Sequence, residues 1–170
     1  MSVHKAWLGL GGNIGDVRSS MNLALDRLDA VEGIHILAVS ALYATPPWGV
    51  VDQPDFLNAC VTLETTLTAR ELLHECLEAE RSLKRERKER WGPRTIDIDI
   101  LAMEGVELRS DALTLPHPRM HERAFVLMPL ADIAPDLFIF GKTVAHWLEG
   151  ADKQSITRLA SGEEWRASRR

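Results

Sequence analysis

Residues 95–103 have the sequence Thr-Ile-Asp-Ile-Asp-Ile-Leu-Ala-Met, and this stretch decides the predicted fold. Isoleucines alternate with aspartates in it, and a period of two is typical of a β-strand with one buried face. Side chains two residues apart on a strand point to the same side, at a spacing of about 6–7 Å. Asp97 and Asp99 are therefore expected to project together from the face opposite to the isoleucines.

Apolar periodicity and turn residues on either side of this strand predict the remaining elements. Before it they predict a strand at 6–10, a glycine-rich turn at 11–16, a helix capped by Asp16, a strand at 34–43, a strand at 56–67 with one solvated face, and a helix at 69–86. This β-α-β-β-α-β order predicts an α+β fold, a ferredoxin-like sandwich of an antiparallel sheet with two helices on one face.

The remaining residues are expected to extend this domain without adding another one. Short strands are predicted after residue 106, and short helices at 118–130 and 144–148. A single domain is thus predicted over residues 1–150. The last residues, 151–170, are polar and are expected to form a loosely ordered tail.

Composition excludes several classes of protein. The chain has 170 residues and 45% hydrophobic residues, enough for one packed core, and a net charge of −5 gives no general attraction to nucleic acid or an anionic membrane. No apolar run approaches the roughly 20 residues that cross a bilayer, and no signal-peptide pattern is present, so a cytoplasmic location is expected. Cys60 and Cys76 are too few for a zinc cage or a disulfide framework and are expected to pack in the core.

The paired aspartates are the strongest chemical signal. Two carboxylates on one face repel each other unless a cation or a basic partner compensates them. Mg²⁺ is commonly held by one or two carboxylates together with substrate phosphates, so Asp97 and Asp99 are the predicted metal ligands. The alternative is a solvated strand face whose charge is balanced by Arg94 and the basic residues before it.

Residues 84–94, Lys-Arg-Glu-Arg-Lys-Glu-Arg-Trp-Gly-Pro-Arg, concentrate positive charge in an acidic chain. Because the run leads directly into the aspartate strand, phosphates could be held between its arginines and a carboxylate-bound cation. The alternative is a solvated helix end that the helix dipole favours.

The glycines near the start, Gly9 and Gly11 among them, do not match a nucleotide-binding motif. Ile14 stands where a dinucleotide fingerprint needs glycine, and the chain has no Gly-Lys-Ser/Thr of a P-loop. These glycines predict a tight strand-to-helix turn. The alternative is that they also line a binding site.

Two further groups of residues suggest ligand binding. Asn58 and Phe56 share one face of their strand, where an amide can pair with the edge of a heterocycle and a ring can stack on its face; an exposed Asn and a Phe under a loop are the alternative. His117 and His121 are four apart, but Pro118 interrupts the helix that a zinc motif needs. A more economical interpretation is that His117 donates a hydrogen bond to a phosphate. Arg123 would then bind an anion beside it, and Phe125 would provide a second stacking ring.

Together these motifs resemble a known family. The residues that carry the resemblance are Thr45-Pro46-Pro47-Trp48-Gly49, Asp52-Gln53-Pro54-Asp55-Phe56-Leu57-Asn58-Ala59, Arg90-Trp91-Gly92-Pro93-Arg94-Thr95-Ile96-Asp97-Ile98-Asp99-Ile100-Leu101 and Pro116-His117-Pro118-Arg119. They resemble the 6-hydroxymethyl-7,8-dihydropterin pyrophosphokinases over about residues 4–148. The resemblance implies transfer of pyrophosphate from ATP to the pterin hydroxymethyl group, giving AMP, in folate biosynthesis, on a ferredoxin-like scaffold with two Mg²⁺ ions.

The resemblance also implies a role for individual residues. Both metal ions are assigned to Asp97 and Asp99. The pterin is assigned to Thr45, Pro46, Trp48, Phe56, Asn58, Trp91 and Phe125. The nucleotide is assigned to Glu80, Arg85, Arg87, Arg90, His117 and Arg123. The catalytic set is Asp97, Asp99, Arg85 and Arg94.

The expected partners are ATP and the pterin, without nucleic acid or membrane, and the expected state is a monomer. Two other functions stay open from the residues alone. An RNA-binding module shares the fold class, but the aromatic RNA-binding pattern is missing and the net charge is negative. A pterin-binding scaffold without catalysis is the third possibility.

Overall fold

An antiparallel sheet of six strands organises the computed structural model, which describes residues 2–47, 53–87 and 95–167. The strands are β1 (His4–Ile14), β2 (Ile34–Val39), β3 (Leu42–Thr45), β4 (Phe56–Thr65), β5 (Thr95–Met103), β6 (Leu108–Arg109), β7 (Thr114–Leu115), β8 (Phe138–Ile139), β9 (Lys142–Thr143) and β10 (Thr157–Ala160). The helices are α1 (Val17–Asp29), α2 (Ala69–Arg87), α3 (Ala124–Ile133), α4 (Val144–Glu149) and α5 (Gly162–Ala167), with a 3₁₀ turn at Met120–Glu122.

The strand order of the main sheet is β10-β3-β4-β1-β5, and β2 also pairs with β4. The other four strands form two separate hairpins, β6 with β7 and β8 with β9. This combination of helices with an antiparallel sheet confirms the α+β class. No helix within the described ranges is both long and apolar enough to span a bilayer.

Both faces of the sheet are packed, because β1 and β5 alternate between two apolar clusters. The first cluster joins the isoleucines of β5 to the apolar sides of α1 and α2. The second joins Trp7, Cys60 and Leu101 to α3 and α4. The prediction of a solvated face on β4 is therefore wrong at Cys60 and Thr62, which are 1% and 7% exposed. The neighbouring Asn58 lies beyond this second cluster and is only half-buried.

Two predicted boundaries differ from the structure for reasons of pairing. β1 continues through Ile14 because Gly11 is paired on both sides, to Asn58 and to Asp97, so the turn begins only at Gly15, where φ is +72°. The predicted strand at 34–43 is two strands, interrupted at Ser40. The Ser40 N–H donates to Cys60 O at 2.9 Å, and its Oγ accepts from Cys60 N–H at 2.8 Å.

The predicted cap of α1 is confirmed. The Asp16 carboxylate accepts a hydrogen bond from the backbone N–H of Ser19 at 3.1 Å. An acceptor at this position satisfies one of the free N–H groups at a helix start.

The C-terminal residues are packed, so the prediction of a loose tail is wrong for residues 151–167. β10 extends the sheet by pairing with β3. Trp165 on α5 is fully buried, and its ring N–H donates to Ser40 O at 2.8 Å. The Asn22 side chain donates to Trp165 O at 2.9 Å, which ties α5 to α1. Strand pairing and a buried aromatic anchor thus help to order a segment whose average composition is polar.

Replacing Trp165 by Ala should destabilise the protein by about 3–5 kcal/mol, because a fully buried indole and its hydrogen bond are lost. Urea unfolding followed by circular dichroism measures this change. Leu159→Ala is the matched control on β10: Leu159 is 52% exposed, so its loss should change the unfolding free energy by no more than about 0.5 kcal/mol. Equal effects of the two substitutions would contradict the anchoring role of Trp165.

A second tie links α3 to β3. The Tyr43 hydroxyl donates to Asp132 Oδ2 at 2.8 Å, and the Ala41 N–H donates to the same oxygen at 3.1 Å. Burial first, and then the hydrogen bond and the charge of Asp132, raise the pKa of Tyr43 to about 12, although Arg158 on β10 opposes this rise.

Tyr43 is the only tyrosine of the chain, so its ionisation can be followed by ultraviolet absorbance alone. We expect its pKa in the folded protein near 12 and, in urea, near the usual value of about 10. Because the unfolded chain loses this proton first, stability should fall as pH rises from 10 toward 12. A folded-state midpoint near 10, with native circular dichroism, would contradict the burial of Tyr43 together with its contact with Asp132.

Candidate active site

An open cavity of about 870 Å³ lies on the face of the sheet that carries the second apolar cluster, next to the start of α3. Segments distant in sequence supply its walls. They are β1, the end of β3 with Pro46 and Pro47, the start of β4, the middle of β5, the stretch from His117 to Val126, and residues 150–152, 155 and 156.

The floor of the cavity is set by the register of three strands. Gly11 of β1 is paired with Asn58 of β4 on one side and with Asp97 of β5 on the other. Gly9 is paired in the same way with Cys60 and Asp99. Paired residues in a sheet have side chains on the same face, so the two glycines leave a gap without side chains between the amide and the carboxylates.

Gly11 is required by a close approach. A Cβ added to Gly11 would lie 2.5 Å from Asn58 Oδ1, whereas one added to Gly9 would meet only the Leu101 side chain, at an ordinary 3.5 Å. The Asn58 Nδ2 faces Thr45 Oγ1 on β3 at 3.5 Å. Asn58 is therefore held between β1 and β3, with its amide at the cavity surface.

The two aspartates lie as their spacing predicts. Asp97 and Asp99 are both exposed and both line the cavity, while Ile96 and Ile98 are buried on the opposite face. Partial burial of the Asp99 carboxyl in the cavity raises its pKa. Asp97 adds to the rise, whereas the positive charges of His117 and Arg123 oppose it.

His117 faces this carboxylate pair with a defined tautomer. Its backbone N–H donates to Leu101 O at 2.7 Å, and its ring Nδ1 accepts from the Arg119 N–H at 3.2 Å. In the neutral ring the proton is therefore on Nε2. Desolvation lowers the pKa of His117, Asp99 opposes this, and the charges of Arg123 and Arg119 lower it further.

Two aromatic rings and one guanidinium complete the polar side of the cavity. Phe56 at the start of β4 and Phe125 on α3 are 37% and 36% exposed, and both line the cavity. Arg123 precedes α3, and its guanidinium lies 5.8 Å from the centre of the Phe125 ring. Helix starts and guanidinium groups both favour anions.

Glu80 does not line the cavity. It lies on α2 and accepts the outward N–H of Ile98 on edge strand β5 at 2.7 Å. Desolvation raises the pKa of Glu80 most; Asp97 and Asp99 add to the rise, while the Ile98 N–H and Lys84 oppose it. This carboxylate thus accepts a hydrogen bond from a backbone N–H on the free edge of β5, the strand that carries the two aspartates. The nucleotide contact of Glu80 stays a prediction.

Several predicted site residues lie outside what the structure describes. They are Trp48, Arg90, Trp91 and Arg94, together with the side chains of Arg85 and Arg87, whose backbone ends α2. The described part of the prediction is brought together in one cavity: Thr45, Pro46, Phe56, Asn58, Asp97, Asp99, His117, Arg123 and Phe125.

Sequence reasoning missed other residues of the cavity wall. These include Cys60, Leu101, Met120, Glu122, Val126 and residues 150–152, 155 and 156. The period of two on β4 places Cys60 on the same face as Asn58 and could have found it. No pattern in the sequence indicates that residues 150–156 return to the site, because that depends on β10 pairing with β3.

The donor set fits a magnesium ion. Within the described ranges, no group of three or more His, Cys, Asp or Glu side chains could hold a metal. Two carboxylates open to a cavity are nevertheless enough for Mg²⁺, which takes its other ligands from substrate phosphates and water. Zinc, which prefers a closed set of nitrogen and sulfur ligands, does not fit this pair.

A cavity that combines adjacent carboxylates, a histidine, an arginine and exposed rings is typical of an enzyme that acts on a small charged molecule. The family model of 7,8-dihydro-6-hydroxymethylpterin-pyrophosphokinase (HPPK) matches residues 7–135. The chain belongs to this family and is thereby a pyrophosphokinase, a transferase of folate synthesis.

Individual relatives agree with the family match. The chain is 52% identical over 155 residues to the 2-amino-4-hydroxy-6-hydroxymethyldihydropteridine pyrophosphokinase of Methylorubrum extorquens, covering 91% of this chain and 98% of that one. It is 42% identical over 132 residues to a folic acid synthesis protein of Schizosaccharomyces pombe, covering 78% of this chain and 18% of that one.

Solved structures resemble the fold. A crystal structure of Plasmodium falciparum HPPK-DHPS aligns with a TM-score of 0.69 at 15% identity, over 92% of this chain and 47% of that one. At this identity the similarity concerns the fold alone, and the chain spans just under half of the matched structure.

Gly11→Ala should lower pyrophosphokinase activity about 10- to 100-fold, because the new methyl group displaces the Asn58 amide and a shift of about 1 Å in a binding group is costly. Steady-state kinetics measures the loss. Gly9→Ala is the matched control on the same strand, with only ordinary contacts around the new methyl group. If the two variants lose activity equally, the close approach to Asn58 is not what requires Gly11.

Proposed function

We propose that this enzyme transfers the terminal pyrophosphoryl group of ATP to the hydroxymethyl group of 6-hydroxymethyl-7,8-dihydropterin and releases AMP, in a reaction that depends on Mg²⁺. The observation that carries the proposal is the pairing across β1, which sets Asn58 opposite Asp97 within one cavity. An amide for a heterocycle and a carboxylate pair for phosphates are thus separated by the width of two strand spacings, about 10 Å.

The heterocycle is assigned to the Asn58 side of the cavity. Its amide offers both a donor and an acceptor to the polar edge of a pterin. Phe56 and Phe125 offer ring faces for stacking, and Thr45 and Pro46 close the pocket beside them. Trp48 and Trp91 are assigned to the same pocket by the family resemblance.

The phosphates are assigned to the β5 side. Two Mg²⁺ ions on Asp97 and Asp99 would neutralise phosphate charge and lower the pKa of the pterin hydroxyl. Arg123 and His117 line the same side of the cavity, where the guanidinium and the Nε2–H would donate to phosphate oxygens. The proposal adds Glu80, Arg85, Arg87 and Arg90 as nucleotide contacts, and Arg94 as a catalytic residue.

The transfer requires the two substrates to be aligned and the charge of the phosphates to be neutralised. The hydroxymethyl oxygen forms a bond to the β-phosphorus while the bond from that phosphorus to the α-phosphate oxygen breaks. AMP leaves with that oxygen, and the hydroxyl proton passes to solvent. The chain contributes by holding the two substrates in line and by offsetting the negative charge of the leaving AMP through Arg123 and the arginines at the end of α2.

The fold supports the same proposal. The strand order β5-β1-β4-β2, with α1 and α2 packed together on one face, supports a ferredoxin-like sandwich. We therefore extend the α+β assignment to that fold. The monomeric state and the cytoplasmic location stay predictions.

The test measures AMP formed from ATP with and without 6-hydroxymethyl-7,8-dihydropterin. We expect AMP only with the pterin and only with Mg²⁺, and loss of AMP formation when EDTA removes the metal. AMP formation that continues in EDTA would contradict the metal requirement. Pterin binding without AMP formation would instead favour a non-catalytic scaffold.

Asp97→Ala and Asp99→Ala should each lower the rate on the order of 10³-fold, because each removes a metal ligand worth several kcal/mol in the transition state. Asp111→Ala is the matched control, since Asp111 is an exposed carboxylate that does not line the cavity. Its activity should equal that of the parent enzyme. Near-parental activity of either Asp97 or Asp99 variant would overturn the metal assignment.

A further inference from the structure

The cavity extends across the sheet one strand beyond the proposed pterin contacts at the end of β3. Asp97 and Asp99 lie on edge strand β5, and Asn58 lies on β4, two strands away. Beyond β4 come β3 and then β10, whose preceding residues line the same cavity. With about 4.8 Å between neighbouring strands, β10 lies about 10 Å beyond β4 and about 19 Å from the aspartates.

The segment 151–156 reaches the far end of the cavity, and we name its four cavity-lining residues the end wall. Register places them there: Thr157 of β10 is paired with Ala44, so the preceding Ile156 comes alongside Thr45 at the end of β3. Ala151, Asp152, Ser155 and Ile156 line the cavity. The family model ends at residue 135, so the end wall lies outside the family match.

The end wall is held by its own hydrogen bonds. The Lys153 ammonium donates to Leu148 O at 2.8 Å and to Ala151 O at 3.2 Å, which ties the segment to the end of α4. The Gln154 N–H donates to Asp152 Oδ1 at 3.1 Å, and the Ile156 N–H donates to Lys153 O at 3.1 Å. A segment fixed in this way can limit the size of a ligand.

We propose that the end wall is a specificity determinant, which closes the pterin pocket at the end opposite to the aspartates and excludes pterins with a substituted 2-amino group. The inference rests on the proposed function. A flat bicycle whose hydroxymethyl group is at the carboxylates, and whose polar edge is at Asn58, directs its exocyclic amino group toward β3 and the end wall. Ser155 and Ile156 then stand where any added group would have to fit.

The chain offers a matched pair of residues for the test. Ser155 and Gln154 are neighbours and both are exposed, but only Ser155 lines the cavity. A tryptophan at either position puts the same side chain on the same segment. Only the one at 155 should occupy the end of the pocket.

Ser155→Trp should raise the KM for 6-hydroxymethyl-7,8-dihydropterin by about tenfold or more, equivalent to about 1.4 kcal/mol of lost binding, and leave the KM for ATP unchanged. Gln154→Trp should keep both values within about twofold. The melting temperature of each variant separates a local effect from loss of the fold. Equal KM values for the pterin in the two variants would overturn the proposal, as would a parallel rise in both substrates' KM with Ser155→Trp.

A variant that enlarges the pocket gives the opposite result. Ile156→Ala should raise the relative kcat/KM for an N2-acetylated pterin, against the unsubstituted one, by about fivefold or more. An unchanged ratio contradicts the end wall as the size limit. These outcomes differ from failure of the proposed function, which is absence of pterin-dependent AMP formation by the parent enzyme itself.

Discussion

The close approach of the Asn58 amide to Gly11 is the constraint on which the site depends. β1 pairs with β4 on one side and with β5 on the other, so any side chain at its cavity-facing positions would stand between Asn58 and the two aspartates. A β-carbon at Gly11 would lie 2.5 Å from the Asn58 oxygen. The same absence of side chains leaves the floor open between that amide and Asp97. Glycine in a strand interior is costly to stability, and here it makes room for a ligand.

The opposite face of the sheet makes this open floor stable. Ile96, Ile98 and Ile100 are each no more than 5% exposed and pack against α1 and α2. A one-residue slip of β5 would exchange these isoleucines for the aspartates and bury two charges in the apolar core. The first apolar cluster therefore fixes the register that holds both carboxylates in the cavity. Glu80 contributes at the edge, because it accepts the Ile98 N–H that β1 does not reach.

Local sequence patterns were sufficient to predict the strands and helices that pack through one regularly spaced set of apolar residues. The strand at Thr95–Met103 and the cap at Asp16 follow from period and side-chain chemistry alone. The solvated face predicted for β4 was wrong because α3, more than 60 residues later in the sequence, covers Cys60. The order of the C-terminal segment escaped prediction for the same reason: it depends on one buried indole, Trp165, and on pairing with a strand more than 100 residues away.

The candidate site was predictable only where its residues lie on such regular elements. Asn58, Asp97 and Asp99 follow from the period of their strands, and the motif resemblance added His117 and Arg123. The far side of the cavity carried no such signal, because nothing in the composition of residues 150–156 connects them to the end of β3. Their position results from the long-range pairing of β10 with β3. This pairing has two consequences. It buries Trp165 against Ser40, and it brings Ser155 and Ile156 next to the end of β3 at Thr45. Stability of the C-terminal segment and the length of the pocket are thus coupled through β10, so a change that detaches this strand must alter both.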